Sequence, residues 1–502
     1  MSLFASASRP TLSKIFLGLA GVILLKVATC TSASALELDW HGQFRAEENV
    51  IYGYTHGVPA SANNGYTIPN SGDSPATFQN LFLRLSPRVL VNDNVTIHSD
   101  IWLGLPDNSF FGSDGRNTRS YYQTATGNAA VTAHLLYGEV ATDFGTVRIG
   151  RVPLNWGLGL IWNSKEDGTD RLPSNGDGIS LLTKLGSFQF SPAIIKYEDA
   201  VGSNTAASPS STSSLVSNSG ATDYTASLMY RNDDEQIDLG VMFIRRIAGI
   251  NSSVINPFQV TDNTVPTPAL GFKGYSYNVW DFYAKKKAGI FTLSAEVPLI
   301  SGTVAGVDYS TVAGALKATA QASEKWTFNV NIGTASGQDN GKGLVPPNKL
   351  NVFYFHPDYR PALILFNYNR RNIATGTNSP YDSPISNAKF ISFGGKYSTG
   401  KWSHGLQAVY AVADKTCDGN ANVCYNTWDR HFETQNAGVP KQDSGLGIEG
   451  DYSLGYQWDE SIRFGLDAGV YFPGAYYDYN NSAVPNAHKT VFASNLNLLV
   501  KF

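Results

Sequence analysis

Two segments of this 502-residue chain concentrate side chains that could do chemistry. The first is Gly150 to Asn163, GRVPLNWGLGLIWN, which places Arg151 just ahead of Pro153 and runs on into Lys165, Glu166, Asp167, Asp170 and Arg171. Proline cannot donate to a strand ladder, so the register of any strand here is interrupted by a bulge or a strand end. An inward-folded segment would then hold Arg151, Lys165 and Arg171 as fixed charges at a selectivity constriction. The alternative reading of the same residues is a structural bulge followed by an exposed loop. The second segment is His356 to Asn372, HPDYRPALILFNYNRRN, inside the stretch 336–385. About 50 residues is far longer than an ordinary connection. Its apolar run Ala362 to Phe366 does not suit a loop in water. Folded inward, it would project Arg360, Arg370 and Arg371 into a path; otherwise it is one more strand.

Other chemistries find little support. The eight histidines are scattered, and neither G-x-S-x-G nor H-E-x-x-H occurs. His98 and Asp100 share one face of a strand, a pairing that reads as polar lining before it reads as a catalytic dyad. Gly445 to Gly450, GLGIEG, fits a dinucleotide pattern but lacks its strand-turn-helix setting. Asp414, Asp418 and Asn420 hint at calcium, yet Tyr425 stands where an EF-hand needs an acid. No cofactor and no metal is therefore expected. Cys417 and Cys424 form a C-x6-C pair that reads as one disulfide stapling a loop in an exported protein, ahead of a metal site without histidine.

The elements that must carry these segments are strands. Ile462, Phe464, Leu466, Ala468, Val470 and Phe472 alternate with Arg463, Gly465, Asp467, Gly469 and Tyr471. Trp326, Phe328, Val330 and Ile332 alternate with Thr327, Asn329, Asn331 and Gly333, and Leu81, Leu83, Leu85 and Val89 with Arg84, Ser86 and Arg88. Such two-sided strands could bury their oily face in a soluble core. Set against lipid, the same alternation places Arg84, Arg88, Asp238, Glu296, Arg463 and Asp467 in a lumen; the reverse would cost up to ~2–4 kcal/mol per outward Arg or Lys. Short turns at Asn92–Asn94, Asp143–Gly145, Leu185–Ser187, Asn232–Glu235, Lys287–Gly289, Ala322–Glu324, Ser398–Gly400 and Asp459–Ser461 alternate with long polar loops, among them 54–77, 106–128, 163–177, 200–221, 250–273, 302–308 and 414–443. This gives an all-β, antiparallel transmembrane barrel of about 18 strands (16–20), with short turns at one end, long loops at the other, and one or two loops folded into the lumen.

The two ends of the chain complete the reading. Residues 1–35 have the form of a signal peptide: Arg9 and Lys14, then the apolar run Ile15 to Leu25, then Ala33-Ser34-Ala35. A lipoprotein reading through Cys30 is the weaker alternative, since Thr29 precedes it. Removing the leader takes away Arg9, Lys14 and Lys26 and no acid, moving the net charge from −4 to −7, which gives no argument for nucleic acid. Residues 36–502 then form a single barrel domain. Abundant Tyr, Phe and Gly (26, 26 and 48) with only 3 Met suit strands and aromatic girdles.

The chain ends KTVFASNLNLLVKF, with Phe492, Ser494, Leu496, Leu498 and Val500 on one face and the terminus on Phe502. This strand resembles the closing strand of Gram-negative outer-membrane β-barrels, and the mature chain resembles a porin-like channel in its pattern. The resemblance implies export to the outer membrane, contact with its lipid, and recognition of Phe502 by the barrel-assembly machinery. It implies passive diffusion of small hydrophilic solutes, without enzymatic activity. Porins often form homotrimers, though no interface can be read in this sequence. A plugged barrel engaging a surface partner, or a barrel enzyme, are the competing functions.

Overall fold

The computed structural model describes residues 37–54, 75–104, 131–164, 170–198, 221–248, 275–304, 307–339, 349–370, 373, 379–418, 423–426, 431–434, 438–479 and 489–502. Residues 1–35, expected to be a leader, and Lys165 and Arg371 lie outside the described residues.

Strand alternation builds one sheet of 21 strands, beside a separate two-stranded hairpin of Val423–Asn426 and His431–Thr434. Within the large sheet, Glu37–Asp39 and Lys349–Leu350 are short attachments, and Arg88–Asn92 resumes the stave Ala76–Leu85 beyond Ser86-Pro87. The other 18 strands are the staves of a closed antiparallel barrel. Closure falls on the last stave, Val491–Lys501, which pairs with Ile462–Pro473 on one side and with the first stave, Gly42–Tyr52, on the other. Gly42 donates to the Phe502 carbonyl at 2.8 Å and Phe502 donates back at 3.1 Å. A closed sheet leaves no edge of unpaired amides, the condition for crossing lipid with strands.

The eight short turns stand where side-chain chemistry favours them. Asp459, for example, accepts the N–H groups of Ser461 and Ile462, each at 2.8 Å, in an Asx turn. One expected long loop is absent. At 302–308 the strands Phe291–Val304 and Val307–Gln321 pair up to Val304 against Val307, so β-branched residues carry the ladder nearly to the chain reversal.

The wall is two-sided. Phe328, Ile332, Ile391, Phe393, Leu406, Tyr410, Phe464 and Phe472 are exposed on its outer face, while Asn49, Asn80, Asp223, Glu296, Ser392 and Glu449 are buried inside. A barrel this wide cannot fill its bore with wall side chains alone. Two connections do so in their described parts: 154–164 with 170–174, which leaves the stave Gly145–Pro153 at its proline, and 351–370 with 379–387, which leaves the attachment Lys349–Leu350. Leu160, Phe353, Phe355, Ile364 and Ile385 are fully buried in these connections. Residues 362–369 are thus an inward loop, and the reading of them as another strand is set aside.

Candidate functional site: a narrowed lumen

The first inward segment is seated on a wall carboxylate. Glu296 accepts the N–H of Leu158, together with those of Gly159 at 3.0 Å and Leu160 at 3.1 Å. The sequence W-G-L-G makes this cradle: Gly157 and Gly159 take φ of 53° and 89°, and a Cβ on Gly157 would run into the Glu296 carboxylate. Glu296 lies on the inner face, as its alternation required, but it anchors backbone and leaves no free charge to a passing solute.

The second segment repeats the arrangement on other staves. Glu449 accepts from Ile364 and Leu365 at 2.6 and 2.7 Å, Asp451 from Leu363 at 3.3 Å, and Gln407 donates to the Pro361 carbonyl at 2.6 Å. The two segments also hold each other. His356 donates its amide to the Leu160 carbonyl at 2.8 Å, and Asp358 accepts the amides of Arg171 and Leu172 at 2.9 and 2.8 Å.

Arg171 reaches the opposite wall. It binds both oxygens of Glu47, with Nη2 at 2.7 Å from Oε1, and lies 4.2 Å over the ring of Tyr381. Burial raises the Tyr381 phenol to about 12 against the lowering influence of Arg171, so the hydroxyl stays protonated. It donates to Asn49, which also accepts from Tyr368 and Asn495 at 3.0 and 2.8 Å. These buried hydrogen bonds tie the inward segment to the first and last staves.

Between the inward segments and the wall lies an open cavity of about 570 Å³. Its lining includes Lys317, Asn329, Asn331 and Lys396 on one arc of the wall, Gln407, Asp451 and Asp467 on the next, and Asp358, Arg360, Leu363 and Asn367 from the loop. A second cavity of about 280 Å³, between Arg171, Glu47, Arg463 and Asn495, shares Arg360, Leu363, Asn367 and Asp467 with the first. These four residues therefore border both spaces. Arg360 is held there by Asp358 at 3.2 Å.

The remaining expected residues are dispersed. Arg84 and Arg88 line a separate recess at the short-turn end, where Arg84 binds Asp100 at 2.8 Å and Arg88 binds Asp39. Asp100 is taken by Arg84 and Ser86, while His98 stacks on Tyr137 at 4.8 Å. Arg370 is buried between the rings of Tyr471 and Tyr477, at 5.1 and 5.3 Å. Arg151 corrects its expectation outright. It stands in register with Leu136, shares the parity of the exposed Ile149, and forms a bidentate pair with Asp177 at 2.6 and 2.9 Å on the outer face. Cys417 and Cys424 are disulfide-bonded, with Cα atoms 5.8 Å apart.

Glu47, Asn49, Glu449, Asp451, Lys317 and Lys396 were missed. Each stands at an inward position of an alternating strand, so strand parity was the signal available. What parity does not give is that Glu449, inside the discarded GLGIEG, would meet a loop some 85 residues earlier in the chain.

No family model matches the chain, and comparison with curated proteins finds no match. Among solved structures, the chain is similar to a BenF-like porin from Pseudomonas fluorescens Pf-5, at 10% identity and a TM-score of 0.49, covering 93% of this chain and 98% of that one. It is similar to the outer membrane protein OprD from Pseudomonas aeruginosa, at 10% identity and 0.48, covering 93% and 94%. OccK2 (OpdF) of Pseudomonas aeruginosa aligns at 12% identity and 0.47, covering 92% and 98%. Likeness this distant carries no argument about what this chain does; its own residues have to.

Proposed function

We propose that the protein is an outer-membrane, porin-like channel through which small hydrophilic solutes diffuse passively, sorted by size and by fixed charge. The observation that carries this reading is the pair of neighbouring polar cavities inside a closed barrel, narrowed by two pinned segments and bordered in common by Arg360, Leu363, Asn367 and Asp467. A hydrated solute beside those residues exchanges water for polar side chains, and its charge is weighed against Arg360, Arg463 and Asp467. Arg84, Arg88 and Glu296 act on the path only through the wall or the loops they hold. Lipid covers the outer face, and the closing strand with Phe502 serves assembly.

A second reading, a plugged barrel that binds a surface partner, is favoured by the tight seating of both segments on Glu296 and Glu449. Single-channel recording of the refolded mature protein in a planar bilayer separates the two. The channel reading expects steady ohmic conductance, with Arg360→Glu moving the reversal potential in a salt gradient toward cation preference. A barrel that inserts and stays silent would give the plugged reading instead.

A further inference from the structure

The aromatic girdle at the short-turn end of the barrel has a gap. Trp326 meets Tyr397 at 4.8 Å and Trp402 meets Tyr456 at 4.5 Å, all on the outward parity of their staves. Rings at this depth suit the boundary between hydrocarbon and headgroups. On the staves Ile237–Ala248, Tyr275–Ala288 and Phe291–Val304, the outward row nearest the turns is instead Ile237, Lys286 and Leu293. The next outward row is Leu239, Ala284 and Ala295. Ala284 pairs with Ala295, so two methyl groups floor a dent among taller side chains. Tyr230 and Leu239 wall it on one side, and Phe282 and Val297 wall it away from the turns. The dent has a volume of about 440 Å³ and is lined by apolar groups. Its rim at the turns is charged. Lys286 stands outward between Ile237 and Leu293, and its ammonium donates to the Glu235 carbonyl at 2.6 Å. An ammonium carries three donors, so this bond does not exhaust it. The turn beside it exposes Asp233, Asp234 and Glu235. One cation and three acids thus stand at the mouth of an oily dent.

We infer that this dent is a site for one phospholipid whose headgroup joins a primary ammonium to its phosphate, an inference that rests on reading the barrel as membrane-spanning. One acyl chain lies over Ala284 and Ala295 and supplies the contacts that the dent otherwise forfeits. The phosphate takes the remaining donors of Lys286 in charge-assisted bonds, and the carboxylates of the turn take the ammonium. The same charges reject other headgroups. A phosphate without an amine meets three acids for one cation, and a quaternary amine has no N–H to donate to them.

The test is native mass spectrometry of the protein extracted from outer membranes in mild detergent. It is then titrated with phosphatidylethanolamine, phosphatidylglycerol and phosphatidylcholine of identical acyl chains. The expected result is one lipid retained per chain, with the ethanolamine lipid bound several-fold tighter than the other two. Ala284→Trp, which fills the dent from outside and leaves the ladder untouched, removes it; Lys286→Ala weakens it several-fold. Ile391→Trp, outward on another arc of the wall, changes nothing. Equal binding of the three lipids would overturn the inference, and so would retention that survives Lys286→Ala unchanged. Should Ala284→Trp fail to fold, the headgroup ranking and Lys286→Ala still decide. Conductance is measured in parallel. A conducting barrel that shows no headgroup preference defeats the lipid site alone, whereas a protein that fails to insert in the bilayer defeats the channel reading beneath it.

Discussion

At Glu449 one wall carboxylate caps the inward loop, taking two consecutive N–H groups that would otherwise be buried without acceptors. Glu449→Ala strands both amides at about 1–3 kcal/mol each. The expected outcome is a lower melting temperature together with noisier open-channel current, as the 351–387 segment loosens from the wall; Glu449→Gln, which keeps one acceptor, falls between. Asp414, where the stave Trp402–Ala413 ends, makes a pH-dependent counterpart. Burial alone would raise its pKa, but Lys389 at 2.7 Å and the Gly337 amide outweigh burial and hold it below its ordinary value. A carboxylate depressed in the folded state stabilises above its unfolded pKa of about 4 and loses that contribution as pH falls through the lower, folded value. Proteolysis of the loop after Ala413 should therefore accelerate below about pH 4 in the wild type. In Asp414→Asn it should already be fast at neutral pH and change little with acid.

Among the elements, the inward segment 351–387 sets the bore and the staves set only the frame. Replacing 357–368 with a short Gly/Ser linker is expected to raise conductance several-fold and to admit larger sugars in liposome swelling. Unchanged conductance after this excision would mean that the segment 154–174 alone limits flow. This division also marks what was legible in the sequence. The staves and all eight short turns could be read, because alternation is local and each turn signals its own chemistry, as Asp459 does. The inward fold of 351–387 was legible through Ala362 to Phe366, an oily run with no place in water. Its seats were not, because Glu449, Asp451 and Asn49 become anchors only when the closed wall brings them to the loop. Arg151 shows the same limit from the other side. Pro153 was expected to bring a bulge or a strand end; the strand does end there, but its ladder is regular up to Pro153, so Arg151 keeps the outward parity of Ile149.

For the whole molecule, stability and assembly both converge on the seam between the last stave and the first. The backbone there is already satisfied: Gly42 and Phe502 exchange two hydrogen bonds, and ten residue pairs from Gln43–Lys501 to Tyr52–Phe492 continue the ladder. The Phe502 ring contributes little to this closure, since it points outward and is 56% exposed. It does pass over Gly42, where any Cβ would meet it. On the proposed assembly role of the closing strand, the Phe502 ring is needed during insertion more than in the finished barrel. Phe502→Ser is therefore expected to separate assembly from architecture. In cells, the heat-resistant folded band in outer-membrane fractions should fall several-fold. The same variant refolded from urea into detergent should close normally and show wild-type single-channel conductance, because the seam's backbone pairing is intact. If the refolded variant also fails to close, the ring is a structural part of the seam and its role as an assembly signal is lost.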